Sequence, residues 1–375
     1  MTLKDAFSNL EDSRSGPARR HDLTEMIVMA LCAVLCGEDS WVDVSEWSKD
    51  NESWLKRYLV LKHGAPSHDT FSRVFRALDS KVFESCFRSW IGDLVRVVEG
   101  VVAIDGKSAC GSCDGSGSAL HTISAYATES GLCLAQEHTR GKGNEIPAIK
   151  ALLDTLALKG CIVTIDAIGC QTEIAQKILD RGGDYLLAVK DNQKSLADAL
   201  REFFAEGETA GFGDLPIDTY MNLEKDHGRI ETRRALWVSD LSWLDSEIRR
   251  RWPQLAGVGM IEREREIKGQ VSRQRVFYIG SKGVSDAASF AGAARNHWAI
   301  ENRLHWVLDV CFREDDCRVR KNHAPHNFAT LRKFALNLLR QDTCYPKRSL
   351  RSRRKTAGRL PEYRTALLGL SPLYN

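Results

Sequence analysis

The chain has 375 residues, of which 43% are hydrophobic and 27% charged, enough for two or three domains with sizeable cores. Its formal net charge is only +3, so recognition of a nucleic acid would have to rest on local basic clusters. No apolar stretch approaches the roughly 20 residues that span a bilayer, and Met26 to Cys36 is too short and follows acidic residues, unlike a signal peptide. The eleven cysteines form no regular framework, so we expect reduced thiols and a cytoplasmic protein without a membrane partner.

The first 98 residues predict a helical domain with few strand signals. Helical stretches are recognised near 23–36, 40–60 and 81–98. A further helix start is predicted at Pro-Ser-His-Asp-Thr-Phe, with Ser67 as N-cap and Arg73 and Arg76 one turn apart. This helix is either a DNA-recognition helix in a helix-turn-helix arrangement or an ordinary capped helix of a bundle. The sequence leaves both open, and 1–98 is a candidate DNA-binding domain.

Two apolar, β-branched runs each end in an aspartate. Val-Val-Ala-Ile precedes Asp105, and Cys-Ile-Val-Thr-Ile precedes Asp166. Such runs predict buried strands, and strand ends deliver side chains to one edge of a sheet. An aspartate after a strand is also commonly a turn residue or a helix cap. We predict that the two strand ends converge.

The segment from about 208 to 285 loses the helical period. Arg229 to Val238 and Arg273 to Ile279 mix β-branched, aromatic and charged residues in short runs, as strands exposed on one face do. We therefore predict a small, mostly β insertion between two parts of the fold.

A polar stripe follows the insertion. His297, Glu301, His305 and Asp309 recur every fourth residue, which places them on one face of a helix. Apolar residues occupy most other sides: Trp298, Ile300, Leu304, Trp306, Val307 and Leu308. We expect this helix to be largely buried, so its polar stripe needs partners. A metal site or a phosphate would satisfy buried His and Glu side chains.

Basic residues gather in two places after the stripe. Arg318, Arg320 and Lys321 follow three acidic residues and lie close in sequence to Glu301, so we predict them beside the groove of the site. There they would neutralise DNA phosphates. The second run, at 347–359, fits either a DNA contact or a solubilising tail.

Three acids of this pattern indicate metal-dependent phosphoryl chemistry. Mg²⁺ is usually held by one or two carboxylates, so Asp105, Asp166 and Glu301 could serve two Mg²⁺ or Mn²⁺ ions. Two such ions activate an attacking oxygen and neutralise the leaving one. Glycosidases also use paired carboxylates. However, aromatic residues other than Trp298 and Trp306 do not cluster near these acids, and the basic flanks favour a phosphodiester.

Motifs along nearly the whole chain resemble those of the H-repeat-associated (ISAs-type) transposases of bacterial insertion sequences. They are Ala-Ile-Asp-Gly-Lys-Ser at 103–108, Gly-Lys-Gly-Asn-Glu-Ile at 141–146, Val-Thr-Ile-Asp-Ala-Ile-Gly-Cys-Gln at 163–171, Gly-Gly-Asp-Tyr-Leu-Leu-Ala-Val-Lys-Asp-Asn-Gln at 182–193, His-Gly-Arg-Ile-Glu-Thr-Arg at 227–233 and Glu-Asn-Arg-Leu-His-Trp-Val-Leu-Asp-Val at 301–310. A related signature places Arg four residues before the glutamate and Lys seven after it. His297 and Leu308 stand there, so only the glutamate is carried over.

The resemblance implies a DDE transposase of α/β fold, with an RNase H-like catalytic core, a mostly β insertion and a preceding α-helical domain. We expect the core at 99–207 and 286–345, the insertion at 208–285 and a basic C-terminal tail at 346–375. The three acids would be the catalytic, metal-binding residues of a two-metal site. Lys107, His297 and His305 are candidates for positioning phosphate or water.

The resemblance also implies the partners and the reaction. Double-stranded DNA would be bound at the terminal inverted repeats of the element and at a target, by two copies of the chain. Metal-assisted attack of water on a phosphodiester would free a 3′-hydroxyl, which then attacks target DNA. The alternative is a decayed transposase that retains DNA binding without catalysis.

Overall fold

One nine-stranded sheet organises the fold. The computed structural model describes residues 3–8, 10–12, 14–95, 97–113, 119–140, 142–226, 229–267 and 269–372. The strands are β1 Gly100–Ala109, β2 Leu120–Ala127, β3 Leu132–Arg140, β4 Cys161–Ile165, β5 Asp184–Val189, β6 Ile217–Asp226, β7 Arg229–Val238, β8 Gly257–Ile267 and β9 Gln270–Gly280. The protein is thus mixed α/β, with helices before, between and after the strands.

The helices that the structure describes are named in chain order. They are α1 Leu3–Phe7, α2 Leu23–Cys36, α3 Trp41–Asp50, α4 Glu52–Leu55, α5 His68–Ala77, α6 Ser80–Leu94, α7 Glu145–Asp154, α8 Thr172–Asp180, α9 Lys194–Ala210, α10 Ser246–Arg251, α11 Ala287–His297, α12 Trp306–Phe312, α13 Ala324–Arg340, α14 Leu350–Arg359 and α15 Pro361–Leu368. The helical stretches predicted near 23–36, 40–60 and 81–98 are confirmed.

The N-terminal helices pack around α2. This helix begins at Asp22, whose side chain accepts from the N–H of Glu25 at 2.9 Å, and ends at Gly37, whose φ of 128° favours glycine. Nearly all of its side chains between the caps are buried. The predicted N-cap Ser67 is confirmed, since its hydroxyl accepts from the N–H of Thr70 at 3.4 Å.

The sheet has the order β3-β2-β1-β4-β5-β9-β8-β7-β6. β1, β2 and β3 form an antiparallel meander, and β4 and β5 run parallel to β1. β9 joins antiparallel to β5, and the hairpins back to β6 complete the sheet. The strands predicted at 229–238 and 273–279 are confirmed as β7 and β9. They extend the sheet that also contains β1, and the expected boundary at 207/208 falls inside α9.

The last two helices return to the start of the chain. α14 packs against α2, and the guanidinium of Arg354 donates to the carbonyl of Val34 at 2.9 Å and to Asp39 at 3.0 Å. Arg364 lies 4.1 Å from the ring centroid of Trp54. The segment expected as a basic tail is therefore two packed helices, because its inward arginines find carbonyl, carboxylate and aromatic partners on the N-terminal helices.

The sequence also led to expectations about the cysteines and about membrane-spanning helices. All eleven cysteines are free thiols in the structure. Within the described ranges, no helix has the length and apolar character needed to cross a membrane.

Candidate active site

Two aspartates lie at neighbouring positions on parallel strands. The register of β1 and β4 pairs Ile104 with Ile165, so Asp105 and Asp166 follow at equivalent places on strands about 4.8 Å apart. The predicted convergence of the two runs is confirmed. Asp166 also caps the short 3₁₀ turn that follows, because its carboxylate accepts from the N–H of Ile168 at 3.2 Å. The structural role expected of an aspartate after a strand therefore coexists with a place in the site.

Glu301 approaches these aspartates from a π-helical turn. The turn spans Ile300–His305, between α11 and α12, and the N–H of Trp306 donates to the carbonyl of Glu301 five residues back. Such wide turns within helices occur frequently at functional sites. Partial burial and the negative charge of Asp166 both raise the pKa of the Glu301 carboxyl. Glu301 thus lies near enough to the strand ends for its carboxylate to be repelled by that of Asp166.

Asp105 is the acid whose ionisation the site disfavours most clearly. Burial raises its pKa to about 7, although a hydrogen bond from the N–H of Gly106 opposes the shift. The negative charges of Asp166 and Glu301 raise it further, as does Glu145. Like charges brought together in this way are relieved by a bound cation, and carboxylate oxygens are the donors that Mg²⁺ and Mn²⁺ prefer. The donor set therefore fits a divalent metal.

The histidines of the predicted polar stripe face the two acid-bearing strands. Nδ1 of His297 lies 3.1 Å from the hydroxyl of Thr164, and Nδ1 of His305 lies 3.5 Å from Asp105. Burial lowers the pKa of His305 to about 3, and the nearby positive charge of Lys333 adds to the effect. Burial also lowers the pKa of His297. Both imidazoles are therefore neutral at physiological pH, and the His305 contact is not an ion pair.

The prediction that the helix around Glu301 is largely buried is wrong for its two tryptophans. Trp298 is 43% exposed and Trp306 57% exposed, whereas Ile300 and Leu304 are fully buried. Trp298 lines an open cavity, where the Arg263 guanidinium lies 5.2 Å from its ring centroid. Alternation of apolar and polar residues did not show which apolar side faces the core.

Lys107 is surrounded by carboxylates. Its Nζ lies 2.7 Å from Asp309, 3.0 Å from Asp315 and 3.5 Å from Glu314. Burial lowers its pKa, but the charge of Glu314 and the hydrogen bonds to Asp309 and Asp315 outweigh burial and leave the pKa raised. The ammonium thus ties β1 to α12 and the turn after it, and is engaged by protein acids where a phosphate contact was expected.

The basic residues predicted beside the groove lie at the far end of β1. Arg318, Arg320 and Lys321 are exposed, and the Arg320 Nε donates to the carbonyl of Gly111 at 2.9 Å. A side chain at Gly111 would have its Cβ 2.4 Å from the carbonyl oxygen of Asp315, so only glycine permits this close approach. Tight packing here holds the basic segment against the end of the strand that carries Asp105.

Arg73 and Arg76 belong to a different part of the molecule. They lie on α5, which buries Phe71 and Phe75 against α3 and α13. Arg73 is exposed and its Nε donates to the carbonyl of Asp69 at 3.3 Å, while Arg76 is half-buried. Among the described contacts, none joins either arginine to the three acids.

A His–Glu pair beside Asp105 was not anticipated. Nε2 of His121 lies 2.7 Å from Glu145, and its Nδ1 lies 2.8 Å from the hydroxyl of Ser108. The ring occupies space that a side chain at Gly106 would fill, since a Cβ there would lie 2.7 Å from His121 Nε2. Glu145 belongs to the motif at 141–146, which was the signal available in the sequence. Gly141 of that motif, and His227 and Gly228 of the motif at 227–233, lie outside the described residues.

A cavity of about 620 Å³ opens beside Glu301. Its walls are α11, the π-helical turn and one face of strands β6 to β9. Five arginines line it together with Glu301: Arg233, Arg263, Arg265, Arg295 and Arg303. Sequence reasoning missed this surface because the arginines come from four separate elements.

The acids and histidines of the described residues do not form a preformed metal centre. In the described part of the chain, no three or more His, Cys, Asp or Glu side chains are grouped closely enough to hold a metal ion by themselves. Because Mg²⁺ commonly takes only one or two protein carboxylates, the pair Asp105 and Asp166 still offers suitable oxygen donors.

Comparisons with known proteins agree on one family. The model of the "Transposase DDE domain" matches residues 70–338, and that of the "DDE_Tnp_1-associated" domain matches residues 4–91. The chain is 38% identical over 346 residues to "Putative transposase YncI" of Escherichia coli O157:H7, covering 91% of this chain and 87% of that protein. It is 36% identical over 362 residues to "H repeat-associated putative transposase YhhI" of Escherichia coli strain K12, covering 95% and 94%.

Among solved structures, a piggyBac transposase synaptic complex with hairpin DNA aligns with a TM-score of 0.43 at 11% identity. That alignment covers 97% of this chain and 76% of the other, and the family assignment does not depend on it. Transposases of this family are enzymes that act on DNA and depend on divalent metal ions. With a DDE-domain match over more than half of its length and relatives that align nearly end to end, the chain belongs to the DDE transposase family.

Proposed function

We propose that this transposase has an RNase H-like catalytic core in which Asp105, Asp166 and Glu301 are the catalytic acids. Support comes from the strand order β3-β2-β1-β4-β5, in which an antiparallel meander is followed by two strands parallel to β1. The central strand carries Asp105, and its parallel neighbour ends immediately before Asp166. The proposal rests above all on this pairing of Asp105 and Asp166 at neighbouring strand positions, with Glu301 close to them.

The three acids would hold Mg²⁺ or Mn²⁺ in a two-metal site. When bound, such ions activate the attacking oxygen and neutralise the leaving oxygen of a phosphodiester. Burial and, to a smaller extent, the neighbouring acids raise the pKa of Asp105, and this supports the assignment because a cation would offset the repulsion between the acids. The insertion at 208–285 would then stand between the core strands and the helix that carries the third acid.

Neutral histidines would orient the acids. An N–H of His305 directed at Asp105 would fix the orientation of that carboxylate, as hydrogen-bonded neighbours of metal ligands do. His297, held against Thr164 on β4, would do the same for the strand that leads to Asp166. The pairing of Lys107 with three acids supports a structural role for its ammonium.

The DNA partners would be the terminal inverted repeats of the element and a target duplex, bound by two copies of the chain in the bacterial cytoplasm at the nucleoid. Water would cleave a phosphodiester at the element end, and the freed 3′-hydroxyl would attack the target. Arg318, Arg320 and Lys321 are exposed and could contact backbone phosphates, and so could Arg73 on the capped helix α5. Arg76 has less free surface for such a contact.

Plasmid cleavage tests the assignment of the acids. The wild type, Asp166→Asn and Asp180→Asn are incubated with a supercoiled plasmid that carries the gene's own flanking DNA, with Mg²⁺ or Mn²⁺. We expect the wild type and the exposed control Asp180→Asn to cut at the flanks and Asp166→Asn to bind without cutting. Cutting by Asp166→Asn would remove that residue from the site. If all three bind the flanking DNA and none cuts it, the decayed transposase is the correct alternative.

A further inference from the structure

The insertion strands carry charged residues on both faces, and the two faces differ in balance. On the outer face, opposite charges meet across the strands. Arg275 contacts Glu262 at 2.6 Å and Arg273 contacts Glu264 at 2.7 Å. Opposite charges placed directly across a ladder stabilise a sheet, so this face is electrostatically satisfied.

The inner face, which lines the cavity beside Glu301, places like charges together. The register of β7 and β8 sets Arg233 directly opposite Arg263, and Glu231 directly opposite Arg265. Like charges directly opposite each other destabilise a ladder. The outer face thus pairs opposite charges, whereas the inner face places Arg233 opposite Arg263. This difference indicates that the inner arginines have a role beyond folding.

Glu231 is the acid that these arginines share. It is only 3% exposed and contacts Arg233, Arg265 at 3.3 Å and Arg263 at 3.6 Å. Burial raises its pKa, but the three guanidiniums outweigh burial and leave the pKa lowered. Glu224 also lies 3.6 Å from Arg233 and 2.6 Å from Arg295. Two carboxylates therefore balance two of the four guanidinium charges that they contact, and Arg303 adds a further positive charge to the cavity wall.

Two of these guanidiniums have donors that the protein does not satisfy. Nη1 of Arg233 and Nε of Arg263 are buried without a hydrogen-bond partner among the described residues. Nη1 of Arg233 lies 3.6 Å from Glu224, and Nε of Arg263 lies 3.6 Å from Glu231. Buried donors of a charged group are costly to leave unpaired. An anion in the cavity would neutralise the excess charge, and the side chains of Arg233 and Arg263, 26% and 23% exposed, leave surface for it to contact.

The position of the cavity identifies the anion. Because Glu301 lies in the same cavity wall, whatever fills the cavity lies against the candidate catalytic centre. Guanidinium groups bind phosphate oxygens in a bidentate manner. Resting on the proposed function, we propose that the inner face of the insertion is a phosphate-binding surface that holds the backbone of one DNA strand beside Glu301, with Arg233, Arg263 and Arg265 as its contacts.

DNA binding tests the proposal in the catalytically blocked Asp166→Asn background. Arg263→Gln, the double variant Arg233→Gln with Arg263→Gln, and the outer-face control Arg273→Gln are titrated with labelled flanking duplex at several salt concentrations. We expect the double variant to bind at least about tenfold more weakly and to lose about one to two from the slope of log affinity against log salt. The control should bind within about twofold of the parent. Equal affinities and slopes for all variants would overturn the proposal.

Thermal unfolding separates loss of a contact from loss of the fold. Because Arg263→Gln removes one of two like charges, its Tm should equal or exceed that of the parent in the absence of DNA. A short single-stranded oligonucleotide should raise the Tm of the parent more than that of the double variant, whereas inorganic phosphate alone should do so weakly. Stabilisation by phosphate with none by the oligonucleotide would show an anion site only and overturn the strand assignment. If the wild type cuts its flanks while the double variant binds normally, this inference fails and the proposed function stands.

Discussion

Glu84 shows how one buried residue couples stability to pH. It is 3% exposed on α6, and its carboxylate accepts from the backbone N–H of Gln136 at 3.0 Å and from the Gln136 side chain at 2.8 Å. Lys333 donates to the same glutamine from α13. Burial raises the pKa of Glu84 to about 7, although the bonds from Gln136 lower it in part. The residue therefore ties the N-terminal helices to the sheet at the cost of ionising a buried acid.

The sign of the pH effect follows from this shift. Between pH 4.5 and about 7 the folded protein keeps a proton on Glu84 that the unfolded chain has released, so the free energy of unfolding falls as the pH rises. We expect Glu84→Gln to remove this slope, so that the difference between its free energy of unfolding and that of the wild type changes by roughly 1–3 kcal/mol between pH 5 and pH 8. Urea unfolding at each pH measures it, with the exposed Glu206→Gln as control. Parallel curves for Glu84→Gln and wild type would contradict the assignment.

Lys107 links two elements of the candidate site. Its contacts join β1, which carries Asp105, to α12 and the following turn, which continue the helix that carries Glu301. Glu314 is 5% exposed in this cluster, and its carboxylate lies 3.5 Å from the lysine Nζ. The placement of Glu301 relative to Asp105 therefore depends on a contact between residues about two hundred positions apart.

Removal of this link should destabilise the helix more than the strand. Lys107→Met leaves the acids without their cation, and we expect a loss of roughly 3 kcal/mol or more in unfolding free energy. Hydrogen exchange should become faster at 306–316, and Lys107→Arg should recover part of both effects. Lys194→Met, which breaks an exposed pair with Asp198, is the control and should leave the unfolding free energy nearly unchanged. A similar effect of Lys107→Met and Lys194→Met would argue against the link.

The two ends of the chain meet in the whole molecule. Arg354 of α14 is 6% exposed and donates to the carbonyls of Val34 on α2 and Cys311 on α12, and to Asp39. One guanidinium thus holds the C-terminal helices, the N-terminal helices and the helix after the π-helical turn together. The last two helices cover α2, and this explains why the basic run at 347–359 is folded against the rest of the protein.

Substitution of Arg354 tests how much the packing of the last two helices contributes to the stability of the fold. Arg354→Met leaves buried carbonyls and Asp39 unpaired, and we expect a loss of roughly 2–4 kcal/mol in urea unfolding. Arg351→Met on the exposed side of the same helix is the matched control and should stay within about 0.5 kcal/mol of the wild type. If both variants unfold together with the wild type, the last helices contribute little to stability.

Local patterns in the sequence were sufficient to predict several features of this protein. Apolar β-branched runs that end in an acid placed Asp105 and Asp166 on neighbouring strands, and a serine cap placed the start of α5, because these patterns act over a few residues. The family motifs carried the assignment as a transposase. Four-residue spacing placed His297 and His305 toward the acids, although the π-helical turn that carries Glu301 was not anticipated.

Tertiary structure decided what depends on long-range neighbours. Lys107 meets acids that follow it by about two hundred residues, and Trp298 is exposed because a cavity lies where a core was expected. Likewise, only the register of β7 and β8 sets Arg233 opposite Arg263 beside Glu301. A linear sequence states which residues can bury, cap or carry charge. Which charged side chains meet depends on contacts between residues that are far apart in the sequence. The packing of the sheet and its helices determines those contacts.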